Sequence, residues 1–436
     1  MATALPTISD SPLVKEVLPA LPGPGGACRF CGTPLDFTFV DLGPSPLCEA
    51  NVRPENINRA EAFYDLHAYV CRACWLVQVK DLIAATDVFP DDYAYFSSYS
   101  SSWLRHARQY VALATGRFAL GPEHLVVEVA SNDGYLLQYF VEQGIPVLGI
   151  EPAANVAAVA REKGIETLGT FFGLATARAV VASHGRADLL VGNNVLAHVP
   201  DINDFVAGLA YLLKPGGVLT MEFPHLLELV ANNQFDTIYH EHFSYLSFWT
   251  VERIFAHHGL MLFDVQELPT HGGSLRIYAR HATCPAPALA VAPAVPALRA
   301  REAAAGVCDL AFYAAFADRV RETKRKLLSF LIEAKRAGKT VAGYGAPGKG
   351  NTLLNYCGIR TDFVDYTVDL NPHKQGSFLP GTRLPIHHPD RIRETRPDYL
   401  LILPWNLREE IMDQMAIIRS WGGQFVVPIP EVRVYP

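Results

Sequence analysis

The most reactive side chains of the sequence are concentrated in one short segment, Tyr239-His-Glu-His242. An imidazole has an ordinary pKa of about 6.5, so small shifts make it a proton acceptor at neutral pH. Glu241 could orient such an imidazole, and the phenol of Tyr239 could donate a hydrogen bond to a developing oxyanion. The H-E-x-x-H pattern of a helix-borne catalytic zinc is absent. The segment therefore indicates proton-transfer chemistry, and the alternative is a hydrogen-bonded cluster with no catalytic part.

Two other segments carry residue types suited to ligand contact. Residues 91–102 contain three tyrosines and five serines, which fit either a polar linker that caps the next helix or a loop that contacts a substrate. His271 is followed by two glycines, which permit close approach of the backbone to a ligand.

Two C-x-x-C pairs, Cys28/Cys31 and Cys71/Cys74, predict a metal site near the N-terminus. Each pair forms a tight turn that presents two thiolates, and two such turns complete a tetrahedral zinc site. Four Cys ligands leave no open position, so the zinc should be structural and should stabilise a module too small for a good core. Two residues between the pairs remain alternative ligands: Cys48 and His67.

The elements that must position these groups are organised around residues 125–134, an apolar strand that leads through a short polar loop into a helix. Such a unit brings a ligand to a helix N-terminus. The next strand ends at Glu151, which can accept hydrogen bonds from both hydroxyls of a ribose. Ala130 and Asn132 stand where dinucleotide-binding loops have glycines. The pattern therefore favours S-adenosylmethionine (SAM), which has a ribose but no pyrophosphate, over an ordinary strand–helix unit without a ligand.

Strands and helices alternate from residue 121 to about residue 280, which predicts a parallel sheet covered on both faces. We expect strands at 125–130, 147–151, 188–192, 217–223, 260–266 and 274–280. Helices are expected at 134–143, 153–163, 173–184, 202–213 and 249–258. Ligands bind at the carboxyl ends of such strands. The residues predicted to contact the cofactor there are Glu128, Ala130, Asn132, Asp133, Gly134, Glu151, Pro152, Asn193 and Asn194.

A second glycine-rich loop lies in the C-terminal part, where Gly343, Gly345 and Gly348 match G-x-G-x-x-G after a predicted strand. A later strand ends at Asp369, about 20 residues on, which completes a dinucleotide fingerprint. Lys349 stands where the loop should approach a pyrophosphate, and it could instead bind the phosphates of a nucleotide-linked substrate. Both an NAD site and a substrate-phosphate site remain open on this pattern.

Composition restricts the class of protein. The 436 residues, 50% hydrophobic and 19% charged, are enough for about three domains with sizeable cores. The net charge of −7 and the lack of a long basic run argue against nucleic-acid binding. Residues 1–25 are predicted to be a disordered tail without signal-peptide features. Since no stretch approaches the ~18 apolar residues of a membrane span, we expect a cytoplasmic protein.

Several marks in one order resemble the sugar C-methyltransferases of deoxysugar biosynthesis, which act on TDP-4-keto-hexoses: the two Cys pairs, Asn132-Asp-Gly134, Tyr239-His-Glu-His242, His271-Gly-Gly273 and Gly343-Tyr-Gly-Ala346. The resemblance runs from about Cys28 to Val432. It implies an α/β fold with three parts. These are a small zinc-binding module (26–80), a central class I methyltransferase domain (81–300) and a C-terminal Rossmann-like domain (301–436) that helps to bind the substrate nucleotide without a nicotinamide.

The resemblance also implies roles for individual residues. In the family pattern Tyr-x-Glu-His, His242 is the general base, Tyr239 and Glu241 stand beside it, and His240 is the variable position. A tyrosine near residue 95 matches an active-site tyrosine of the family, and Tyr95 is preferred over Tyr93. The substrate is expected to contact Tyr93, Glu222, Pro224, His271, Gly272, Gly273, Tyr344, Lys349 and Asn355. Ser274, where some relatives have Glu, leaves the sugar and its nucleotide open.

The expected function is SAM-dependent C-methylation of a nucleotide-linked 4-keto-deoxysugar, in which His242 forms an enolate that attacks the methyl group. The expected partners are this small substrate, the cofactor and a structural zinc, with no nucleic acid and no membrane. The alternatives are an O- or N-methyltransferase, an NAD-dependent oxidoreductase that uses the C-terminal glycine loop, and a zinc-containing binding protein without catalytic activity.

Overall fold

A computed structural model describes residues 24–84, 95–284 and 289–436, and the strands of these residues form three sheets. The sheets have four, seven and six strands in the described ranges. The predicted α/β fold with three modules is confirmed. The predicted tail lies outside the described residues except for its last two positions, and the domain boundaries stay predictions.

The strands are β1 (Phe37–Ser45), β2 (Tyr64–Val70), β3 (Val77–Val79), β4 (Val126–Val129), β5 (Val147–Ile150), β6 (Thr167–Leu168), β7 (Ala187–Asn193), β8 (Leu213–Pro224), β9 (Ser244–Tyr245), β10 (Leu260–Leu268), β11 (Ser274–His281), β12 (Val341–Tyr344), β13 (Thr367–Val368), β14 (Ile386–His387), β15 (Tyr399–Ile402), β16 (Gln424–Val427) and β17 (Arg433–Tyr435).

The α-helices between these strands are α1 (Ser101–Phe118), α2 (Leu137–Val141), α3 (Ala154–Glu162), α4 (Leu174–His184), α5 (Ile202–Leu212), α6 (Leu226–Ala231), α7 (Phe248–His257), α8 (Ala294–Ala305), α9 (Leu310–Ala314), α10 (Phe316–Arg336), α11 (Gly348–Cys357), α12 (Arg391–Thr395) and α13 (Arg408–Gln414).

The first sheet joins the N-terminal module to the reactive segment of the central domain. Its order is β1-β2-β3-β9, and every neighbouring pair is antiparallel. The short strand β9 begins two residues after His242. The Tyr239–His242 segment is therefore held against the zinc module by backbone pairing between β3 and β9.

The central sheet has the order β6-β5-β4-β7-β8-β11-β10, parallel except that β11 runs antiparallel to both of its neighbours. Strand β4 is buried along its whole length, as expected for a parallel sheet covered on both faces. Each predicted strand of this domain is present, and β6 was not predicted because two residues carry no periodicity. The predicted helix at 134–143 is shorter than expected, because the preceding turn is not helical before Leu137.

The C-terminal sheet has the order β14-β13-β12-β15-β16-β17, parallel except for β17. The long helix α10 connects this domain to the zinc module, since its Phe316 stacks on Phe39 of β1 with ring centroids 4.3 Å apart. Such a pair contributes about 0.5–1.5 kcal/mol beyond its buried area. One hydrophobic core thus includes residues of both terminal modules. Among the described helices, none is long and apolar enough to span a bilayer.

Candidate active site

The two Cys pairs meet in space at one end of the first sheet. The Sγ atoms of Cys28, Cys31, Cys71 and Cys74 all lie within 4.8 Å of one another, and two of the pairs are 3.5 Å apart. A tetrahedral zinc with Zn–S bonds of about 2.3 Å separates its sulfurs by roughly 3.8 Å, so the donor set fits zinc. Gln78 Nε2 donates to Cys28 Sγ at 3.2 Å, which orients this thiolate from outside the ligand set.

The two alternative ligands lie elsewhere. The thiol of Cys48 is 3.4 Å from Glu241 Oε1, on the side of the module that faces the central domain. His67 is hydrogen-bonded to the hydroxyls of Thr38 and Tyr69 on the surface of the first sheet. Neither belongs to the four-sulfur cluster.

The loop after β4 adopts the left-handed backbone conformation that a cofactor loop needs. Ala130, Asn132 and Gly134 have φ angles of 56°, 49° and 75°. Only Gly134 of the three is a glycine, and a Cβ there would lie 2.4 Å from Ile165 Cδ1. Ala130 and Asn132 therefore take up the conformation of the usual glycines at a cost of about 1–2 kcal/mol each, less for Asn. Asp133, between Asn132 and Gly134, is buried.

Glu151, at the end of β5, fixes this loop. Its Oε2 accepts from the backbone N–H of Asn132 at 3.0 Å, and its Oε1 accepts from that of Ala153 at 2.9 Å, across Pro152. Burial raises the pKa of Glu151 to about 7. Each carboxylate oxygen retains a lone pair, so the group can still accept from two hydroxyls of a ribose.

Three further residues predicted to contact the cofactor surround the same strand ends. Glu128 is fully buried in β4, and burial raises its pKa well above the ordinary value. Asn193 ends β7, and Asn194 follows with a φ of 55° and an N–H that donates to the Glu222 carbonyl at 2.8 Å. The structure thus brings the predicted cofactor residues to the carboxyl ends of β4, β5 and β7.

The segment Tyr95–Ser98 lies over the cofactor loop. The N–H groups of Ser97 and Ser98 donate to Asn132 Oδ1 at 2.8 Å and to Asp133 Oδ2 at 3.2 Å, and Asn132 Nδ2 donates to the Tyr95 carbonyl. The side chain of Tyr95 is 44% exposed. Tyr93 lies outside the described residues.

His242 is held in one tautomer. Its Nδ1 lies 2.8 Å from the Thr237 carbonyl, which can only accept, so Nδ1 carries the proton and Nε2 keeps its lone pair. Burial lowers the pKa of His242 well below its usual range, and the neighbouring His198 lowers it further. The ring is therefore neutral at physiological pH and can accept a proton at Nε2.

Two aromatic side chains pack directly against His242. The ring of Tyr239 lies 4.0 Å from it between centroids, and the ring of His198 meets it edge-on at 4.6 Å. Burial raises the pKa of Tyr239 well above its ordinary value and lowers that of His198 to about 4. Sequence reasoning missed His198 because it stands alone in a short turn after β7, 44 residues before His242, where no local pattern singles it out.

The other two members of the reactive segment contact the zinc module. The carboxylate of Glu241 accepts a hydrogen bond from the Cys48 thiol at 3.4 Å. His240 is buried against Tyr64 of β2, with ring centroids 6.0 Å apart. The interpretation of His240 as the variable position of the motif stays a prediction.

The hairpin between β10 and β11 closes the site opposite His242. His271 has a φ of 54°, and its Nε2 lies 3.1 Å from Asn194 Nδ2, with an edge-on contact to Trp103. Gly272 has a φ of 88°, and a Cβ there would lie 2.5 Å from the Trp405 ring. A Cβ on Gly273 would lie similarly close to the side chain of Glu228. The two glycines are required by packing between the hairpin and its neighbours, which brings the C-terminal domain against the site.

Glu222 is buried at the end of β8 and contacts two basic side chains. It lies 2.8 Å from His106 Nε2 and forms an ion pair with Arg276 of β11. Burial alone would raise its pKa, but His106 and Arg276 hold the pKa of Glu222 below its ordinary value. With its oxygens engaged in this way, Glu222 supports the strand ends, and Pro224 forms the last rung of the β8–β11 pairing with Ser274.

Lys349 reaches the site from the C-terminal domain. Its Nζ donates to Asn406 Oδ1 at 2.8 Å and lies 4.8 Å above the Trp405 ring. Burial lowers the pKa of Lys349 to about 8, while the charge of Asp236 raises it. Trp405 Nε1 in turn donates to Asp236 Oδ2 at 2.7 Å. The positive charge of Lys349 is close enough to lower the pKa values of both His242 and His271.

Two residues predicted to contact the substrate are used inside the C-terminal domain. The hydroxyl of Tyr344 donates to Gln414 Oε1 at 2.9 Å. Asn355 Nδ2 donates to the carbonyls of Asn351 and Pro380, at the far end of α11 from Lys349. The described contacts connect neither residue to His242, and their substrate roles stay predictions.

Protein side chains contact the loop that carries the dinucleotide fingerprint of the C-terminal domain. Asp369 Oδ2 accepts from the Ala346 N–H at 2.7 Å, and Lys374 Nζ donates to the Ala346 carbonyl at 2.9 Å. Lys374 also pairs with Glu49 of the zinc module at 2.7 Å. A Cβ at Gly345 would lie 2.6 Å from the Pro404 ring. The loop is thus packed against side chains of the C-terminal domain and is connected through Lys374 to the zinc module.

Comparisons with known families cover the three parts of the chain. The profile of a putative zinc binding domain matches residues 28–89, that of a methyltransferase domain matches 103–265, and that of a C-methyltransferase C-terminal domain matches 269–430. The first match and the four-sulfur cluster confirm the predicted zinc-binding module. The second, with the strand order of the central sheet, confirms the predicted class I methyltransferase domain and its cofactor SAM.

Individual relatives agree with the profiles. C-methyltransferase NovU from Streptomyces niveus is 40% identical over 413 residues, which cover 93% of this chain and 96% of NovU. A ubiquinone biosynthesis O-methyltransferase from Methylobacterium sp. (strain 4-46) is 31% identical over 120 residues, 26% of this chain and 48% of that protein.

The solved structure of magnesium protoporphyrin IX methyltransferase (ChlM) from Synechocystis PCC 6803 with bound SAM is 17% identical, covers 40% of this chain and 78% of its own, and has a TM-score of only 0.31. A likeness this weak carries no argument. The match to NovU, by contrast, extends over nearly the whole of both chains. The chain belongs to the family of SAM-dependent sugar C-methyltransferases.

Proposed function

We propose that this C-methyltransferase methylates the carbon next to the ketone of a nucleotide-linked 4-keto-deoxysugar, with a TDP-sugar as the expected form. The hydrogen bond of 2.8 Å between His242 Nδ1 and the Thr237 carbonyl carries the proposal, because it leaves Nε2 as a free proton acceptor. Methylation of a carbon requires a base that creates a carbon nucleophile, whereas an oxygen or nitrogen already has a lone pair. The proton next to a ketone is acidic enough for an imidazole to remove.

The reaction begins with proton transfer to His242. Nε2 accepts the proton, and the electron pair of the broken C–H bond forms the carbon–carbon double bond of an enolate, whose negative charge lies on the former ketone oxygen. Tyr239 stays protonated because burial raises its pKa, so its hydroxyl can donate to this oxygen. The Thr237 carbonyl accepts from Nδ1 before and after the transfer and keeps the ring in place.

Bound SAM supplies an electrophilic methyl group, which the enolate carbon takes up as the enolate returns to a ketone. The residues of this chain align the two reactants, and alignment alone can contribute about 7–11 kcal/mol. Glu151 and the left-handed loop from Ala130 to Gly134 would hold the ribose and the amino-acid portion. His242 then releases its proton to solvent.

Lys349 supports a phosphorylated substrate. Its ammonium is a compact cation between Trp405 of the C-terminal domain and Asp236 of the central domain, and it lies near the two histidines of the site. An ammonium in such a place pairs well with a diphosphate. A nucleotide diphosphate held by Lys349 would place an attached sugar toward His242.

The test compares His242→Asn with the matched control His240→Asn in assays with a TDP-4-keto-deoxysugar. We expect His242→Asn to lose nearly all methyl transfer, because asparagine cannot accept the proton, while binding of S-adenosylhomocysteine is unchanged. We expect His240→Asn to remain active. A second readout is exchange of the proton next to the ketone in D₂O without SAM, which should follow the same order. Full turnover by His242→Asn would contradict the assignment of the base.

The position of the new methyl group separates this proposal from O-methylation. The O-methyltransferases among the relatives align with only about a quarter of this chain, 26% for the Methylobacterium protein. Nuclear magnetic resonance of the product distinguishes a methyl on carbon from one on oxygen. A methyl ether would overturn the proposal and leave the cofactor site intact.

A further inference from the structure

The segment that follows β1 is the part of the zinc module that extends furthest toward the other two domains. Val52 exchanges two backbone hydrogen bonds with Phe378 of the C-terminal domain, with N–O distances of 2.8 and 2.9 Å. Cys48 and Glu49 precede Val52 in the chain, and Cys48 is only 4% exposed. These contacts place Cys48 and Glu49 at the junction of all three parts of the molecule.

Cys48 contacts both other domains. Its Sγ lies 3.4 Å from Oε1 of Glu241, the residue immediately before His242. A Cβ on Gly348, the first residue of α11, would lie 2.9 Å from the same sulfur. The thiol is thus confined between the catalytic segment and the C-terminal domain. Burial raises the pKa of the Cys48 thiol well above its usual range, and Glu241 raises it further, so the thiol stays protonated and donates.

The neighbouring ion pair fixes this segment. Glu49 Oε2 lies 2.7 Å from Lys374 Nζ, and Lys374 also donates to the Ala346 carbonyl at 2.9 Å. The Lys374 side chain is 6% exposed. Burial alone would lower the pKa of Lys374, but Glu49 and Asp369 hold it above its ordinary value, so Lys374 keeps its positive charge. The backbone at Cys48 therefore has little freedom, and its thiol has a defined direction.

From these contacts we propose that Cys48 is a positioning residue for methyl transfer: its thiol donates to Glu241 and thereby holds the adjacent His242 and Tyr239 in their reactive arrangement. Cys48 does not touch the reacting atoms. The zinc module, whose metal lies elsewhere, would act on the reaction through this bond. The inference rests on the proposed function, because the catalytic role of the Tyr239–His242 segment belongs to that proposal.

The kinetic test compares Cys48→Ala, which removes the donor, with Cys48→Ser, which keeps one. A hydrogen bond to a charged group corresponds to about tenfold or more in a rate or equilibrium. We therefore expect kcat of Cys48→Ala to fall about tenfold with little change in KM, and Cys48→Ser to recover most of the loss. Cys357→Ala is the matched control, because this buried thiol lies at the opposite end of α11. Wild-type kcat for Cys48→Ala would overturn the proposal.

A double-mutant cycle with Glu241→Gln shows whether Cys48 acts through Glu241. If it does, adding Cys48→Ala to Glu241→Gln has a smaller effect than Cys48→Ala alone. Fully additive losses would overturn the proposal. Equal losses in Cys48→Ala and Cys48→Ser would overturn it as well, since a hydrogen-bond donor at this position would then restore nothing.

The infrared S–H stretching band gives a readout that needs no substrate. A difference spectrum between the wild type and Cys48→Ser isolates the Cys48 band, which a bond to a carboxylate should shift to lower frequency. Glu241→Gln should move it back, and an unshifted band in the wild type would overturn the proposal. A shifted band in an enzyme that does not methylate a keto-sugar would overturn the proposed function alone and leave the bond established.

Discussion

The chain contains the same local design twice, a strand that leads through a glycine-containing loop into a helix, and the two copies are used differently. In the central domain the loop follows β4 and the next strand ends at Glu151. In the C-terminal domain the loop follows β12 and the next strand ends beside Asp369. The C-terminal copy matches the dinucleotide fingerprint better in sequence, yet the central copy is the one that belongs to the methyltransferase domain.

The difference lies in what each acidic residue and each loop contact. Glu151 bonds the backbone of its loop and keeps lone pairs for a ribose. Asp369 also bonds its loop, but the space beside that loop contains Lys374 and Glu49. Glu49, a side chain of the zinc module, thus lies beside this loop through its ion pair with Lys374. A glycine-rich loop indicates that another group approaches the backbone closely. In the C-terminal domain the approaching groups are protein side chains.

The difference between the two loops can be tested by substituting their acidic residues, and we expect the largest effect from these substitutions. At about pH 8, above the pKa of about 7 of Glu151, Glu151→Gln should weaken S-adenosylhomocysteine binding about 100-fold, because hydrogen bonds to a charged acceptor are each worth about 1.5–3 kcal/mol. Asp369→Asn, the matched change in the C-terminal copy, should leave this affinity unchanged. Isothermal titration of both variants with S-adenosylhomocysteine, and of the wild type with NAD, measures the difference. Binding of NAD at micromolar strength would contradict the interpretation of the C-terminal loop.

A smaller effect concerns the charge that the C-terminal domain contributes in place of a cofactor. The pKa of Lys349 is lowered to about 8, chiefly by burial, so it loses its charge as the pH rises above about 8. If the ammonium binds a diphosphate, KM for the nucleotide sugar should rise about tenfold per pH unit above this value. Lys349→Arg, which stays charged, should flatten this dependence. A KM that is independent of pH from 7 to 9 in the wild type would remove the diphosphate role.

The sequence predicted the parts of this site that depend on residues close together in the chain. The C-x-x-C pairs, the strand–loop–helix at residues 125–134 and the position of Glu151 follow from spacing along one element. The left-handed conformations of Ala130 and Asn132 were not evident, because neither residue type requires a positive φ. Asn tolerates it, and two hydrogen bonds hold the loop in this conformation. The Asn132 N–H donates to Glu151, and Asn132 Oδ1 accepts from the Ser97 N–H.

The parts that could not be predicted depend on contacts between distant elements. His198 reaches the His242 ring only because β7 and the β9 region meet in the fold. Cys48 seemed a possible metal ligand from its place between the Cys pairs, and only the packing of three modules turns it toward Glu241. Glu222 was predicted to contact the substrate, and its ion pair with Arg276 depends on the β8–β11 register. One sequence carries no information on such register.

The smallest effect, confined to stability, sharpens the comparison at the glycines. Gly345 has a φ of 88°, and a Cβ there would lie 2.6 Å from the rigid ring of Pro404. Gly345→Ala should therefore lower the free energy of unfolding by about 1–3 kcal/mol, a decrease in Tm of a few degrees, with unchanged affinity for S-adenosylhomocysteine.

Gly134→Ala is the counterpart in the central loop, where φ is 75° and the Cβ would meet the flexible end of Ile165. It should lower this affinity as well as the stability, because the altered backbone belongs to the cofactor loop. Thermal unfolding with and without S-adenosylhomocysteine separates the two changes, since at a fixed ligand concentration the rise in Tm is smaller when the affinity is lower. If Gly345→Ala lost the ligand-induced rise in Tm and Gly134→Ala kept it, the assignment of the two loops would have to be reversed.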